Sequence, residues 1–376
     1  FGLVKLVGSN VPRFDHDPMT RECKGLLMEE SRTNYILDSL RFNHKYWAFG
    51  IDHSNNQKIL IDNSVRNPDG SLGAFYRSSS DETYANDPYC DLSGASTDTI
   101  TVSLFVKERS GVSGALNIEI FSQISPSAVS LGTFTFDPAT ATMDTTDANF
   151  SNGRVEEFPN GWYRVSAKVT TNSGNFTSTT RMDIQSAPHY MWGPQLEAGS
   201  YPTSFIPTFP SAASRGVDVA TIDEDEFTEF YNPDEWTMVT HTNVDNSQSL
   251  VASPSEVNSI NFEGDNNTKK FTTRYVTNST NNQAYVDAIG AMSGSGLYDL
   301  VGGGVGNYNM KTAHAAKVND VAASFNGGTV QTDTSVTMLT GGSILNIGQN
   351  PKRLHVIKFM YYPKRLPNSQ LVTLTS

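Results

Sequence analysis

The sequence predicts an all-β protein of two consecutive antiparallel β-sandwich domains, and three observations lead there. Apolar side chains recur at every second position in short runs. The stretches between those runs are rich in Ser, Thr, Asn, Gly and Asp, the composition of turns. No segment carries the period of a long amphipathic helix. The 376 residues suffice for two or three folding units at about 100–200 residues each. With 37% hydrophobic and 18% charged residues, the chain has apolar side chains enough for sandwich cores and is not expected to be disordered.

In chain order, residues 1–33 lack strong periodicity and are punctuated by Pro12, Asp15, Asp17 and Pro18, so they read as an N-terminal arm or connector. From Asn34 the pattern changes. It is clearest over Asp98–Lys107, where Ile100, Val102, Leu104 and Val106 alternate with Thr101, Ser103, Phe105 and Lys107, the pattern of a half-buried strand. The same period returns at Leu116, Ile118 and Ile120, at Tyr163, Val165, Ala167 and Val169, and at Met182 and Ile184. Polar loops between these runs favour antiparallel pairing, which gives one sandwich over residues 34–207. Pro202, Pro207 and Pro210, followed by Ser211–Ser214, cannot continue a central strand, and a linker is placed at 208–220. A second sandwich is expected over 221–376, with strands at Trp236–His241, Lys270–Val276, Val321–Phe325, Ser343–Ile347 and Leu354–Tyr361. Phe325-Asn326-Gly327-Gly328 predicts a tight hairpin turn, and Pro367–Leu374 a short closing helix with Pro in its first turn.

Charge and composition exclude several functions. A formal net charge of −12 repels phosphate backbones and anionic lipid, so nucleic acid is not an expected partner. No apolar run approaches the roughly 20 residues that cross a bilayer, which argues against membrane insertion. The N-terminus has no signal-peptide pattern, and a chain that begins at Phe1 is expected to be a fragment or a processed product. Cys23 and Cys90 match no metal spacing, and they read either as two thiols or as a disulfide pinning the arm. The seven histidines show no ligand pair, Asp15-His16-Asp17 is a turn, and there is no Asp-x-Asp-x-Asp-Gly loop, so no metal and no cofactor are predicted. Calcium on loop carboxylates stays open. Gly302–Gly304 lacks the Lys-Ser/Thr of a phosphate cradle, and no Gly-x-Ser-x-Gly elbow is present.

Gly25-Leu26-Leu27-Met28-Glu29-Glu30-Ser31-Arg32-Thr33-Asn34, preceded by Asn10–Pro18, resembles the segment that opens a module of bacteriophage tail fibres and other virion appendages. Asn160-Gly161-Trp162-Tyr163-Arg164 and the run from Tyr190 through Trp192-Gly193-Pro194-Gln195-Leu196-Glu197 to Thr208 resemble the late strands of the same module. The second half is similar to concanavalin-like lectin/glucanase modules at Ala323–Val330, Leu345–Gly348 and Tyr361–Leu366. The resemblance implies a jelly roll like that of carbohydrate-binding modules, a place on the virion surface, a homotrimer, and other virion proteins and host-surface polysaccharide as partners. The function so implied is non-catalytic adsorption. The rivals are a decoration or scaffolding protein of head or tail, and a capsule depolymerase.

Sugar recognition needs aromatic faces beside hydrogen-bonding groups. Trp47, Tyr84 and Tyr89 lie in loop-rich segments and Trp236 opens a strand, so these are the candidate glycan contacts, with Tyr46 beside them. Trp162 and Trp192 lie in motif strands and read as core. Glu29, Glu30 and Arg32, joined by Glu197, read as a buried charge network that fixes the arm. Asp223-Glu224-Asp225-Glu226-Phe227-Thr228-Glu229 would put Asp223, Asp225 and Glu229 on one face of a strand, as in glucanases. Glu224 and Glu226 would charge the opposite face, where a glucanase strand meets its core, so an exposed acidic surface is the expectation and no catalytic residue is assigned.

Overall fold

The computed structural model describes residues 2–41, 59–77, 89–90, 99–124, 127–170, 180–245, 255–264, 270–277, 282–289, 297–302, 307–338, 342–348 and 353–376. The described residues are mostly strand with two short α-helices, arranged as antiparallel sheets in the all-β sandwich class that the sequence predicts. The chain divides into two compact units: Phe1–Leu6, Asp17–Arg21 and Ser31–Arg215 form the first, and Val7–His16, Glu22–Glu30 and Gly216–Ser376 the second.

The chain opens with β1 (Phe14–His16) and β2 (Cys23–Glu29), an antiparallel pair at the edge of a sheet in the second unit. The expected connector of residues 1–33 is therefore not one segment but is divided between the units. The reason is pairing: Leu26–Glu29 lies antiparallel to Arg353–Val356 near the other end of the chain. Gly25 permits that approach, since its φ is +109° and a Cβ there would sit 2.5 Å from the Val356 carbonyl oxygen.

The first unit contains β3 (Arg32–Asn34), β4 (Ile59–Arg66), β5 (Leu72–Arg77), β6 (Tyr89–Cys90), β7 (Thr99–Lys107), β8 (Leu116–Ile124), β9 (Ser127–Asp137), β10 (Thr142–Asp144), β11 (Phe150–Phe158), β12 (Trp162–Thr170), β13 (Thr180–Ser186), β14 (Tyr190–Ala198) and β15 (Ala213–Arg215). One sheet runs β11-β12-β7-β14-β5-β4, a second runs β10-β9-β8-β13-β6, and β3 pairs with β15. The alternating side chains of β7 supply Ile100, Val102, Leu104 and Val106 to the core, where they meet Ile118, Ile120, Phe134, Phe136, Met182 and Ile184 from the other sheet. Full burial of each such side chain contributes about 1.5–3 kcal/mol. β7 is buried on both faces, not half-buried as its alternation suggests: Phe105 packs with Trp162, Tyr190 and Trp192 on the far side. Thr101 and Ser103 accept that burial because each has a partner, the Gly199 carbonyl at 2.8 Å and the Arg164 guanidinium at 3.0 Å. The proline-punctuated stretch expected as a linker contributes β15 to this unit, and the division falls after Arg215.

The second unit adds β16 (Ala220–Asp223), α1 (Glu224–Phe230), β17 (Glu235–Asp245), β18 (Ser255–Gly264), β19 (Lys270–Thr277), β20 (Asn282–Ile289), β21 (Leu297–Gly302), β22 (Asn307–Lys317), β23 (Asp320–Phe325), β24 (Gln331–Asp333), β25 (Gly342–Ile347), β26 (Arg353–Tyr362) and α2 (Asn368–Thr375). Its sheets run β1-β2-β26-β17-β22-β23-β24 and β16-β25-β18-β19-β20-β21, and Trp236, Met238, Phe262, Phe271, Leu345 and Leu354 lie in the core between them. The outer face of the seven-stranded sheet carries Ala313, Ala315 and Ala322, and α2 packs Leu371 and Leu374 onto these small side chains. The expected closing helix is present, with Pro367 as its N-cap. The turn after β23 also forms: Asn326 and Gly327 both have positive φ, and the Gly328 amide donates to the Phe325 carbonyl at 2.8 Å. Gly302 ends β21, and residues 303–304 lie outside the described residues.

Residues 224–230 are helical, so the strand that would have aligned Asp223, Asp225 and Glu229 does not form. Phe227, Phe230 and Tyr231 recur at helical spacing and pack against the core, which fixes the turn, while Asp223, Asp225, Glu226 and Glu229 are exposed.

Candidate functional site

The described aromatic candidates are structural. Trp236 is completely buried, with its ring centroid 5.0 Å from Phe262, 5.0 Å from Phe271 and 4.9 Å from His314. This corrects its assignment as a glycan contact: as the second residue of β17 it faces the opposite sheet, and no ligand can stack on it. Trp162 and Trp192 are core residues, as the sequence predicts; Trp162 Nε1 donates to the Arg66 carbonyl at 2.8 Å, and Trp192 packs 4.7 Å from Phe205. Trp47, Tyr46 and Tyr84 lie outside the described residues, as does the side chain of Tyr89 in β6.

The motif stretches meet in the first unit. Asn34 Nδ2 donates to the carbonyls of Ile206 at 2.9 Å and Pro194 at 3.3 Å, while its Oδ1 accepts from the Leu196 and Ile36 amides, both at 3.1 Å. Gln195 Oε1 accepts from the Ile206 amide at 2.7 Å. Buried Glu197 accepts from the Thr203 amide at 3.0 Å and from the Thr203 hydroxyl, and Arg164 donates to the Thr203 carbonyl at 2.8 Å. Arg32 lies 4.8 Å from the Tyr201 ring centroid. Asn34, Gln195, Glu197 and Arg164 thus supply hydrogen bonds to a segment, residues 199–208, that no strand among the described residues pairs with, so they do for it what a ladder does elsewhere.

In the second unit, fully buried Glu29 accepts from Arg13 Nη1 at 2.9 Å, and Arg13 also bonds Asp218, which accepts from the Glu29 amide at 2.7 Å. Arg13 and Asp218, which the sequence did not single out, thus bind Glu29; Glu30 is half-buried at the end of this stretch, while Arg32 and Glu197, expected in the same network, belong to the first unit. Asp15 bonds His355 Nε2 at 2.8 Å. Burial pushes the Asp15 carboxyl up, but the bond and charge of His355, with Lys24 and Arg353, outweigh it and hold the group below its ordinary value. Cys23 is a free, exposed thiol. Among the described residues no three His, Cys, Asp or Glu side chains are grouped to hold a metal, and no helix is long and apolar enough to cross a membrane.

One cluster escaped the sequence reading. Where β4 and β5 adjoin β14, the Arg109 guanidinium lies 4.0 Å from the Tyr76 ring centroid. The Tyr76 and Tyr190 rings meet edge to face at 5.7 Å, and the Tyr190 hydroxyl donates to Asp62 Oδ2 at 2.7 Å. These residues come from four separate strands or strand ends, so no spacing in the sequence marks them.

No protein-family model matches the chain, and no curated protein matches it.

Proposed function

We propose that this chain is a bacteriophage virion surface protein, a fibre-like appendage component that binds host-surface glycans during adsorption and performs no catalysis. The observation that carries the reading is the convergence of Asn34, Arg164, Gln195 and Glu197 on residues 199–208. Three stretches far apart in sequence, each resembling part of one phage module, supply a single buried hydrogen-bond network. That is expected of one inherited module and not of scattered chance matches. On this reading the first unit is a jelly roll of the carbohydrate-binding kind and the second is concanavalin-like. The chain acts as a homotrimer among other virion proteins, and several weak sugar contacts per particle add to firm adhesion. The helical turn at 224–230 weighs against a depolymerase, because the strand that would align Asp223, Asp225 and Glu229 on one face, as in glucanases, is replaced by a short helix with exposed carboxylates.

The test is binding of purified protein to an array of bacterial capsular and O-antigen oligosaccharides, together with its location on a phage particle by electron microscopy. Binding plus a position on a fibre is expected. A protein that binds none of them and sits within the head or tail wall would replace this reading with a decoration or scaffolding role. A specific observation favours that second reading: Phe14, on the edge strand β1 of the second unit, and Val11, three residues before it, are 61% and 55% exposed, as suits a contact with another virion protein.

A further inference from the structure

One end of the six-stranded sheet in the first unit carries side chains that the motif network does not use. In the antiparallel pair β4–β5, Leu60 lies opposite Tyr76 and Asp62 opposite Ala74. Directly opposed residues share a face of the sheet, so these four look to the side on which Ala74, Tyr76 and Tyr190 pack together. Leu60 is 40% exposed there, an apolar side chain left open to solvent at the sheet edge.

The polar groups beside it are held in place. Asp62 Oδ1 accepts from the Ser64 amide at 2.9 Å and the Ser64 hydroxyl at 2.6 Å, and Oδ2 accepts from Tyr190. Those bonds, Ser64 first and Tyr190 next, hold the Asp62 carboxyl below its ordinary value, so it is an ionised acceptor at neutral pH. The Arg109 guanidinium is stacked on Tyr76, and its amide is anchored on His189 Nδ1 at 3.3 Å. A stacked guanidinium keeps its N–H edges available while losing little further freedom on binding.

The geometry points to a saccharide subsite on this face, in which the apolar side of a neutral hexose packs on Leu60 and Tyr76 while Asp62 and Arg109 take adjacent hydroxyls. The inference rests on the glycan-binding reading above and gives it a location. A ligand with net charge is opposed by one member of the carboxylate–guanidinium pair. A sugar, which both donates and accepts at neighbouring positions, satisfies both.

Immobilised bacterial capsular and O-antigen oligosaccharides serve as probes, and the tightest of them is titrated against wild type, Arg109→Gln and Leu60→Ser. Arg109→Gln and Leu60→Ser are each expected to raise Kd at least tenfold with unchanged urea midpoints, as loss of a charge-assisted hydrogen bond or an apolar platform requires. If wild type binds and both variants stay within threefold of it, the subsite is wrong while the glycan reading stands. If wild type binds nothing, both fall. Should either variant lose stability as well as binding, hydrogen exchange on wild type decides: protection of residues 59–62 and 109 by the oligosaccharide supports the subsite, and its absence overturns it.

Discussion

His314 gives the second unit a calculable sensitivity to acid. The side chain is fully buried on β22, packed against the rings of both Trp236 and Phe271, and neither ring nitrogen has a hydrogen-bond partner among the described residues. Burial alone pushes its pKa down from 6.5 to about 3. The folded protein therefore keeps this imidazole neutral at pH values where the unfolded chain protonates it. Where the unfolded state binds more protons, stability falls as pH falls. The loss begins near pH 6.5, runs at about 1.4 kcal/mol per pH unit, reaches about 2 kcal/mol at pH 5 and ends near pH 3 at about 5 kcal/mol. Asp15, whose folded pKa is also depressed, loses its contribution only below its ordinary 3.8, so it does not contribute to the change from pH 7 to 5. The perturbation is His314→Leu, which removes the titrating group and two unpartnered nitrogens while keeping most of the volume. Urea unfolding at pH 7, 6 and 5, read by hydrogen exchange of peptides from β17 and β22, reports this unit alone. Wild type should lose about 2 kcal/mol between pH 7 and 5, and the variant at least 1 kcal/mol less. At pH 7 the variant should be no less stable than wild type, since a buried unsatisfied polar group costs about 1–3 kcal/mol. Parallel losses in the two proteins would refute the reasoning.

Asn34→Leu should destabilise the first unit by about 3 kcal/mol in urea unfolding, because it strands the buried carbonyls of Pro194 and Ile206 and the amide of Leu196 together. Gly25→Ala should cost about 2 kcal/mol or more and raise amide exchange in β2 and β26, since the new Cβ meets the Val356 carbonyl and the backbone there has positive φ. Asp225→Ala and Glu229→Ala should leave unfolding midpoints within about 0.5 kcal/mol of wild type and leave polymer length in a capsule digestion unchanged, as exposed carboxylates on a short helix require.

Strands such as β7, β8, β12 and β13 were legible because their apolar period of two survives intact in the sequence. β2 was not, although Leu26 and Met28 alternate within it. The turns around Pro12 and Pro18 mask it, and the strand that stabilises it, β26, lies at the far end of the chain. α1 was hidden for a different reason: its charges catch the eye, while the information sits in Phe227, Phe230 and Tyr231 at spacings of three and four. For Trp236, period two gives a pair of opposite faces without saying which one meets the core. The motif residues were legible as a set, yet their shared hold on residues 199–208 was not, since each bond joins positions distant in sequence.

By itself the sequence determined the class of the fold, the positions of several strands such as β7, β8, β12 and β13, the turn at Asn326-Gly327 and the closing helix, because each depends on side-chain period or on backbone preferences within a few residues. Only the tertiary structure decided that residues 22–30 belong with residues 216–376, that β7 is covered on both faces, that Trp236 is core, and that Leu60, Asp62, Tyr76, Arg109 and Tyr190 share one surface. Strand partners are chosen by complementary edges and faces wherever along the chain these occur, and local alternation carries no record of that choice.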